Sequence, residues 1–321
     1  MSANIRTAKL EPLRAAFGER LQKRASLARY AAARLGGPAD WLLVANTADH
    51  LAEIVSKLWE LEMPFLILGS GSNVLISDAG VRGLVVINRS KEMQFQADTE
   101  PPAVWVESGA NFGVVARQAA ALGLSGIEWA VGIPGTIGGA IIGNAGAHNG
   151  DMAGNLILAE ILHHVEGRQR WTADRFQYGY RHSAIKGQST AADQPKVVVL
   201  SALLKLGRST PEAVQDKLQL FTVQRHRTQP PGASLGSMFK NPPGDYAGRL
   251  IEAAGLKGAR IGDAEISPLH ANFFINRGHA TATDIYRLIQ LAQKTVKDNF
   301  KLELELEVEL VGDWETVRLK A

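Results

Sequence analysis

Residues 64 to 73, PFLILGSGSN, run an apolar stretch straight into Gly69, Ser70, Gly71, Ser72 and Asn73. Glycines let consecutive backbone N–H groups converge on an anion, and serines add hydroxyl donors, which is chemistry suited to a pyrophosphate. The dinucleotide fingerprint G-x-G-x-x-G opens a helix, whereas VLISD follows here, and no Walker lysine is present. Taken alone, the loop fits a Gly/Ser hairpin without a ligand equally well.

A second glycine-rich stretch, WAVGIPGTIGGAIIGNAG at 129 to 146, puts six glycines and Pro134 among apolar side chains. Gly139 and Gly143, four apart, have the spacing of a membrane-helix seam. Pro134 and the repeated glycines oppose a long helix, however, and no segment reaches the roughly 20 apolar residues that a spanning helix needs. Two readings stay open. Gly132, Ile133, Pro134, Gly135, Thr136, Gly138 and Gly139 could present bare backbone to a flat, heteroatom-rich ring, or the glycines could be a tightly packed core.

Downstream, Arg181 lies in QYGYRHS beside Tyr178 and Tyr180. Its guanidinium could fork onto a carboxylate or a developing oxyanion, although an exposed loop arginine is the commoner case. Ser237 sits in GASLGSMFKNP, a glycine turn without the G-x-S-x-G elbow of a serine hydrolase. Glu303, Glu305, Glu307 and Glu309 alternate with leucines and Val308, so a period of two places the carboxylates on one face of a half-exposed strand. Spacing alone singles out none of them. The eight histidines lack zinc-like pairing and give no metal site, and with no cysteine, disulfides and cysteinyl flavin attachment are excluded.

These residues need a scaffold, and at 321 residues two or three subdomains are expected. Composition is that of a soluble globular chain, 45% apolar and 21% charged. A net charge of +3 without a basic stripe gives no case for nucleic acid, the charge-interrupted N-terminus is not a secretory signal, and the absence of disulfides suits a cytoplasmic address. Periodicity predicts an amphipathic helix around 8 to 26 and a strand at 40 to 46. It then predicts a helix from Thr47, strands on both sides of the GSGSN loop, and a helix from Asn111 closed by Gly123. Further strands are expected within 156–167 and 195–207, helices within 210–230 and 246–258, and a long helix capped by Thr281 or Thr283. The strictly alternating KLELELEVELVG closes the chain. Strands and helices intermingle without a regular βαβ repeat, so the fold class is α+β.

Taken in order, RLGGPAD, LILGSGSNVLISDAGVRGLVV, GIEWAVGIPGTIGGAIIGNAGA, YGYRHS, GSMFKNP, LIEAAGLKG, ISPLHANFFINRGHATATD and LELEVELVG resemble the UDP-N-acetylenolpyruvoylglucosamine reductase family over nearly the whole chain. The resemblance implies a two-subdomain FAD-binding region of the vanillyl-alcohol-oxidase (PCMH) type over 1–218, divided near residue 83. An α+β substrate-binding domain follows over 219–321, with the strand near 302–312 returning to the FAD region. It implies non-covalent FAD, with its pyrophosphate at Gly69 to Asn73 and its ring against residues 132 to 140, and no tyrosine-bearing lid inserted between 181 and 237.

By the same resemblance NADPH is the hydride donor. UDP-N-acetylglucosamine enolpyruvate is reduced to UDP-N-acetylmuramate, a peptidoglycan precursor. Ser237 carries over as proton donor, and Arg181 and Glu307 lie near the substrate carboxylate, with Glu305 the alternative register. Tyr180, Arg225, Lys240, Asn241 and Lys257 are expected at the UDP-sugar. Two other readings share these features: an FAD enzyme of the same fold oxidising a hydroxy acid or alcohol, and a non-catalytic nucleotide-sugar binding protein.

Overall fold

The computed structural model describes residues 7–187 and 194–314, with side chains from residue 11 onward. The expected absence of a lid between 181 and 237 therefore falls partly, at 188–193, outside the described residues. Two compact units interleave along the chain. One comprises the residues up to Gln22, Trp41–Ser70 and Gly83–Gln224; the other comprises Lys23–Asp40, Gly71–Arg82 and the residues from Arg225.

In the first unit, the Thr47 side chain accepts from the His50 N–H and opens the helix Ala48–Glu60. Its Leu51, Ile54, Val55 and Leu58, spaced as one helical face, are fully buried with Leu43, Leu84 and Val86. The strand Phe65–Leu68 pairs in parallel with Val81–Asn88, Phe65 opposite Leu84 and Leu68 opposite Ile87. An antiparallel five-stranded sheet has the order Gly167–Thr172, Leu156–His163, Val197–Lys205, Ala103–Glu107, Met93–Gln96. The helix Phe112–Ala121, capped by the Asn111 side chain, buries Phe112, Val115, Ala116 and Ala119 with Val104, Val106, Ala202 and Leu204 of that sheet.

The N-terminal helix is shorter than its periodicity predicts. It covers Thr7–Phe17, the backbone turns left-handed at Gly18 with φ +53°, and Gln22–Ser26 is a strand. A left-handed glycine ends a helix, and beyond it Ala25 is buried from a strand.

The second unit is built on an antiparallel sheet in the order Ala233–Ser237, Phe273–Asn276, Ala264–Ile266, Arg260–Ile261. The helices Ala247–Ala253 and Ala282–Phe300 share a core with it, in which Leu250, Ile251, Ile266, Phe274, Ile285, Leu288 and Ile289 are buried. Thr281, not Thr283, is the N-cap, in a capping box with Asp284; Thr283 donates instead to the Asp78 carboxylate at 2.6 Å.

The alternating C-terminal segment is not one continuous strand. Only Glu309–Val311 forms a ladder, parallel to Val74–Ile76, and Leu306 makes an isolated bridge to Phe239. Leu304 and Val308 are buried, whereas Leu302 is exposed and Leu306 and Leu310 are half-buried, as are Glu307 and Glu309. The backbone partner changes along the segment: Lys240 N–H donates to Glu305 and Glu307 N–H to Met238, then Glu309 N–H donates to Asn73, each at 2.9 Å. No single neighbour runs alongside for the whole length.

Candidate active site

In the first unit the strand Phe65–Leu68 leads into Gly69 and Ser70. A Cβ at Gly69 would lie 2.5 Å from Thr136 Oγ1, so the missing side chain is what lets the Gly/Ser loop meet the second glycine-rich segment. Thr136 is buried, and its Oγ1 accepts from the Gly139 N–H at 3.4 Å, starting the helix Ile137–Gly143. Ser70 Oγ is buried without a hydrogen-bond partner among the described residues. Leaving a buried hydroxyl unsatisfied costs about 1–3 kcal/mol, which an acceptor from a bound ligand would remove.

The glycines at 129–146 divide between the two readings left open above. Gly138 is a packing glycine, because a Cβ there would meet Ser108 Cβ at 3.1 Å and its carbonyl oxygen at 3.2 Å. Gly139 would meet only Thr136 Oγ1, at an ordinary 3.6 Å, and Gly143 nothing within 4 Å. Gly132, Pro134 and Gly139 are exposed, while Ile133 and Gly135 are half-buried. Packing is therefore tighter at 138 than at 139, whose bare, exposed backbone fits a flat ligand. The orphaned Ser70 hydroxyl and this surface make the segment suitable for FAD.

Arg181 is the third residue of a turn closed by reciprocal hydrogen bonds between Gly179 and His182, at 3.1 and 3.2 Å. Its φ of +53° is one that favours glycine or asparagine at that position. The guanidinium donates to the Gly146 carbonyl at 3.0 Å and lies 5.5 Å from the ring centre of Tyr180, which is 57% exposed. Tyr178 stacks on Phe176, its hydroxyl is buried, and burial, helped by the negative charge of Asp151, raises its pKa above the ordinary phenol range.

The second unit contains Gly71, Ser72 and Asn73 and the remaining candidates. Gly71, at φ +58°, would put a Cβ 2.3 Å from the Tyr30 carbonyl oxygen, so close backbone packing fixes it as glycine. Asn73 Nδ2 donates to the Glu307 carbonyl at 3.1 Å. Ser237 ends the strand Ala233–Ser237, beyond a register irregularity after Ser234. Because Glu307 N–H donates to the Met238 carbonyl, the Glu307 backbone is pinned between the residue after Ser237 and Asn73. The neighbouring glutamate differs: Glu305 is exposed and pairs with Lys240 Nζ at 2.5 Å, while Glu303 pairs with Lys297 at 2.6 Å. The carboxylates thus do not form one uniform solvated face.

Of the other cations, Lys257 pairs with Glu252 at 2.7 Å, and half-buried Arg225 closes the helix Pro211–Thr228, where desolvation lowers its pKa. Asn241 Oδ1 accepts from Ala247 N–H at 3.1 Å, at the start of the helix Ala247–Ala253.

Motif reasoning did not single out Asn272. Buried to 2%, it accepts from Phe239 N–H at 2.9 Å and donates to the Phe239 carbonyl at 2.8 Å, fixing the backbone just after Ser237. The signal was available in HANFFIN, since an asparagine at the head of an apolar strand must find partners if buried. His148 stacks on Phe221 with ring centres 4.1 Å apart. Among the described residues no three His, Asp or Glu side chains are placed to hold a metal, and no helix is long and apolar enough to cross a membrane.

Two family models match the chain: the FAD binding domain over residues 39–166, and the C-terminal domain of UDP-N-acetylenolpyruvoylglucosamine reductase over 227–311. A UDP-N-acetylenolpyruvoylglucosamine reductase of Chloroflexus aggregans is 42% identical over 285 residues, spanning 89% of this chain and 95% of that protein. One from Rubrobacter xylanophilus is 40% identical over 290 residues, spanning 89% and 94%. The crystal structure of the Thermus caldophilus enzyme superposes with a TM-score of 0.75 at 34% identity, covering 91% of this chain and 99% of that one. With both parts matched in order and nearly the full length shared, the chain belongs to the UDP-N-acetylenolpyruvoylglucosamine reductase family of FAD-dependent oxidoreductases.

Proposed function

We propose that the chain reduces UDP-N-acetylglucosamine enolpyruvate to UDP-N-acetylmuramate at the expense of NADPH, and that Ser237, Glu307 and Arg181 carry the substrate half of the reaction. The observation that carries this reading is the pinning of the Glu307 backbone between Met238, next to Ser237, and Asn73 of the GSGSN loop. It supports Glu307 over Glu305, whose carboxylate is occupied by Lys240 at an exposed position.

FAD, when bound, supplies the hydride that adds to the terminal carbon of the enolpyruvyl group. Ser70 and the exposed backbone at Gly132, Pro134 and Gly139 hold the cofactor, while Gly69 and Gly138 serve the packing of that segment. The guanidinium of Arg181 offers a permanent charge to the substrate carboxylate, on which negative charge grows as the double bond is reduced. The Glu307 carboxyl completes the polar contacts there. The Ser237 hydroxyl gives its proton to the adjacent carbon, a transfer within reach of a weak acid because the enolate is strongly basic. Tyr180, Arg225, Lys240, Asn241 and Lys257 bind the UDP-sugar. The diphosphate competes with Glu305 and Glu252 for the two lysines.

The test is Ser237→Ala, followed in two half-reactions. Reduction of the bound flavin by NADPH should stay within about threefold of wild type, while reoxidation by the enolpyruvyl sugar nucleotide should fall by roughly 10²–10⁴, the range for lost proton transfer. Equal losses in both half-reactions would remove Ser237 from the proton-transfer role.

A further inference from the structure

We infer that Asn144 is a positioning residue for Arg181, a step that rests on the reading of Arg181 as the group facing the substrate carboxylate. The helix Ile137–Gly143 closes at Asn144, which is left-handed at φ +42° and only 6% exposed. Its carboxamide is used at both ends: Nδ2 donates to the Gly179 carbonyl and Oδ1 accepts from Ala153 N–H, both at 3.0 Å. Gly179 opens the turn that carries Arg181, and its carbonyl also accepts from His182 N–H at 3.2 Å. Both lone pairs of that oxygen are thereby engaged, one from inside the turn and one from Asn144.

Two more bonds fasten the same pair of segments. Ser183 Oγ, fully buried, donates to the Ile142 carbonyl at 2.6 Å, and the Arg181 guanidinium donates to the Gly146 carbonyl at 3.0 Å. Residues 142–146 thus hold the turn at its first residue, at its arginine and at its exit. Such fastening is what a left-handed arginine requires, because strained backbone persists only where its surroundings over-determine it. Without the Asn144 bond the turn can relax toward negative φ at residue 181 and carry the guanidinium away. Only a carboxamide suits the position. It must donate to a carbonyl and accept from an N–H at once, whereas an aspartate of the same shape turns a second acceptor toward the Gly179 oxygen.

The experiment uses the holoenzyme with Asn144→Asp, which keeps shape and left-handed tolerance, and with Ser183→Ala, which loosens the turn from its other end. In both variants, flavin content and flavin reduction by NADPH should stay within about twofold of wild type. Reoxidation by the enolpyruvyl sugar nucleotide should fall roughly 10–100-fold, as expected for a catalytic group displaced by about 1 Å. In an Arg181→Ala background, Asn144→Asp should add less than about threefold, because residues that act as a unit are not additive. Equal losses in both half-reactions, or a full additional loss in that background, would overturn the assignment. A wild type that turns over while both variants match it overturns this inference alone; a wild type that cannot reduce the sugar nucleotide overturns the functional reading and this inference with it.

Discussion

At the scale of single residues, two glutamates with the same sequence environment have different surroundings. Glu305 is exposed and bound to Lys240, while Glu307 is half-buried, with its main chain tied to Met238 and Asn73. Period-two alternation could not separate them, because it encodes which face a side chain takes and not which segment lies opposite. We expect Glu307→Gln to lower turnover of the enolpyruvyl sugar nucleotide at least about 100-fold, the scale for loss of one oriented polar group at a developing charge. Glu305→Gln should stay within about fivefold, its loss falling on KM through Lys240. Steady-state kinetics of the two variants decides, and wild-type turnover in Glu307→Gln would reject the assignment.

Among the elements, the helix Ile137–Gly143 separates glycines that the sequence presents alike. Gly138→Ala drives a Cβ against Ser108, so we expect it to lower the melting temperature, by an overpacking cost of about 1–3 kcal/mol. Gly139→Ala meets no such wall, and alanine is favoured over glycine in a helix by about 1 kcal/mol. The flavin-free protein should therefore melt no lower than wild type while its affinity for FAD falls. Unchanged FAD affinity would return Gly139 to a packing role. Another element-scale expectation concerns the strand Ala264–Ile266. There Glu265, 3% exposed, accepts from Arg277 and pairs with Arg260 at 2.8 Å. The Arg277 hydrogen bond, outweighing the opposing cost of burial, holds its pKa below the usual carboxylate range. A depressed carboxylate pKa stabilises the fold above the unfolded-state value and loses that contribution as pH falls through the folded one. Thermal melts of Glu265→Gln should show a lower melting temperature than wild type near neutral pH and a difference that shrinks as pH drops below about 4. A difference independent of pH would contradict the role assigned to the ion pairs.

Much of this level was legible beforehand. The helix from Thr47, the strand–turn–strand pattern around GSGSN and the long helix from Thr281 follow from caps and apolar spacing within one segment. The end of the first helix at Phe17, set by the left-handed Gly18 inside an otherwise amphipathic pattern, was not, and nor was the broken C-terminal strand, which depends on partners distant in the chain. Asn144 and Asn272 escaped for a related reason: their meaning lies in backbone groups 35 and 33 residues away.

For the whole molecule, the motifs identify the family because they recur in order, yet that order does not reveal how the chain is shared out. Residues 23–40 and 71–82 assemble with the carboxy-terminal part, and Val74–Ile76 pairs with Glu309–Val311 across more than two hundred residues. Local periodicity carries no trace of such pairing. Arg181 belongs to one unit, and Ser237 and Glu307 to the other. The family matches fall at 39–166, an FAD binding domain, and at 227–311, the C-terminal domain of the reductase family. The most direct test is an anaerobic single turnover: the purified flavoprotein is reduced with one equivalent of NADPH and mixed with UDP-N-acetylglucosamine enolpyruvate. We expect the flavin absorption to return as the sugar nucleotide gains two hydrogens and becomes UDP-N-acetylmuramate. Flavin that stays reduced until oxygen is admitted, with the sugar nucleotide recovered unchanged, would contradict the assignment.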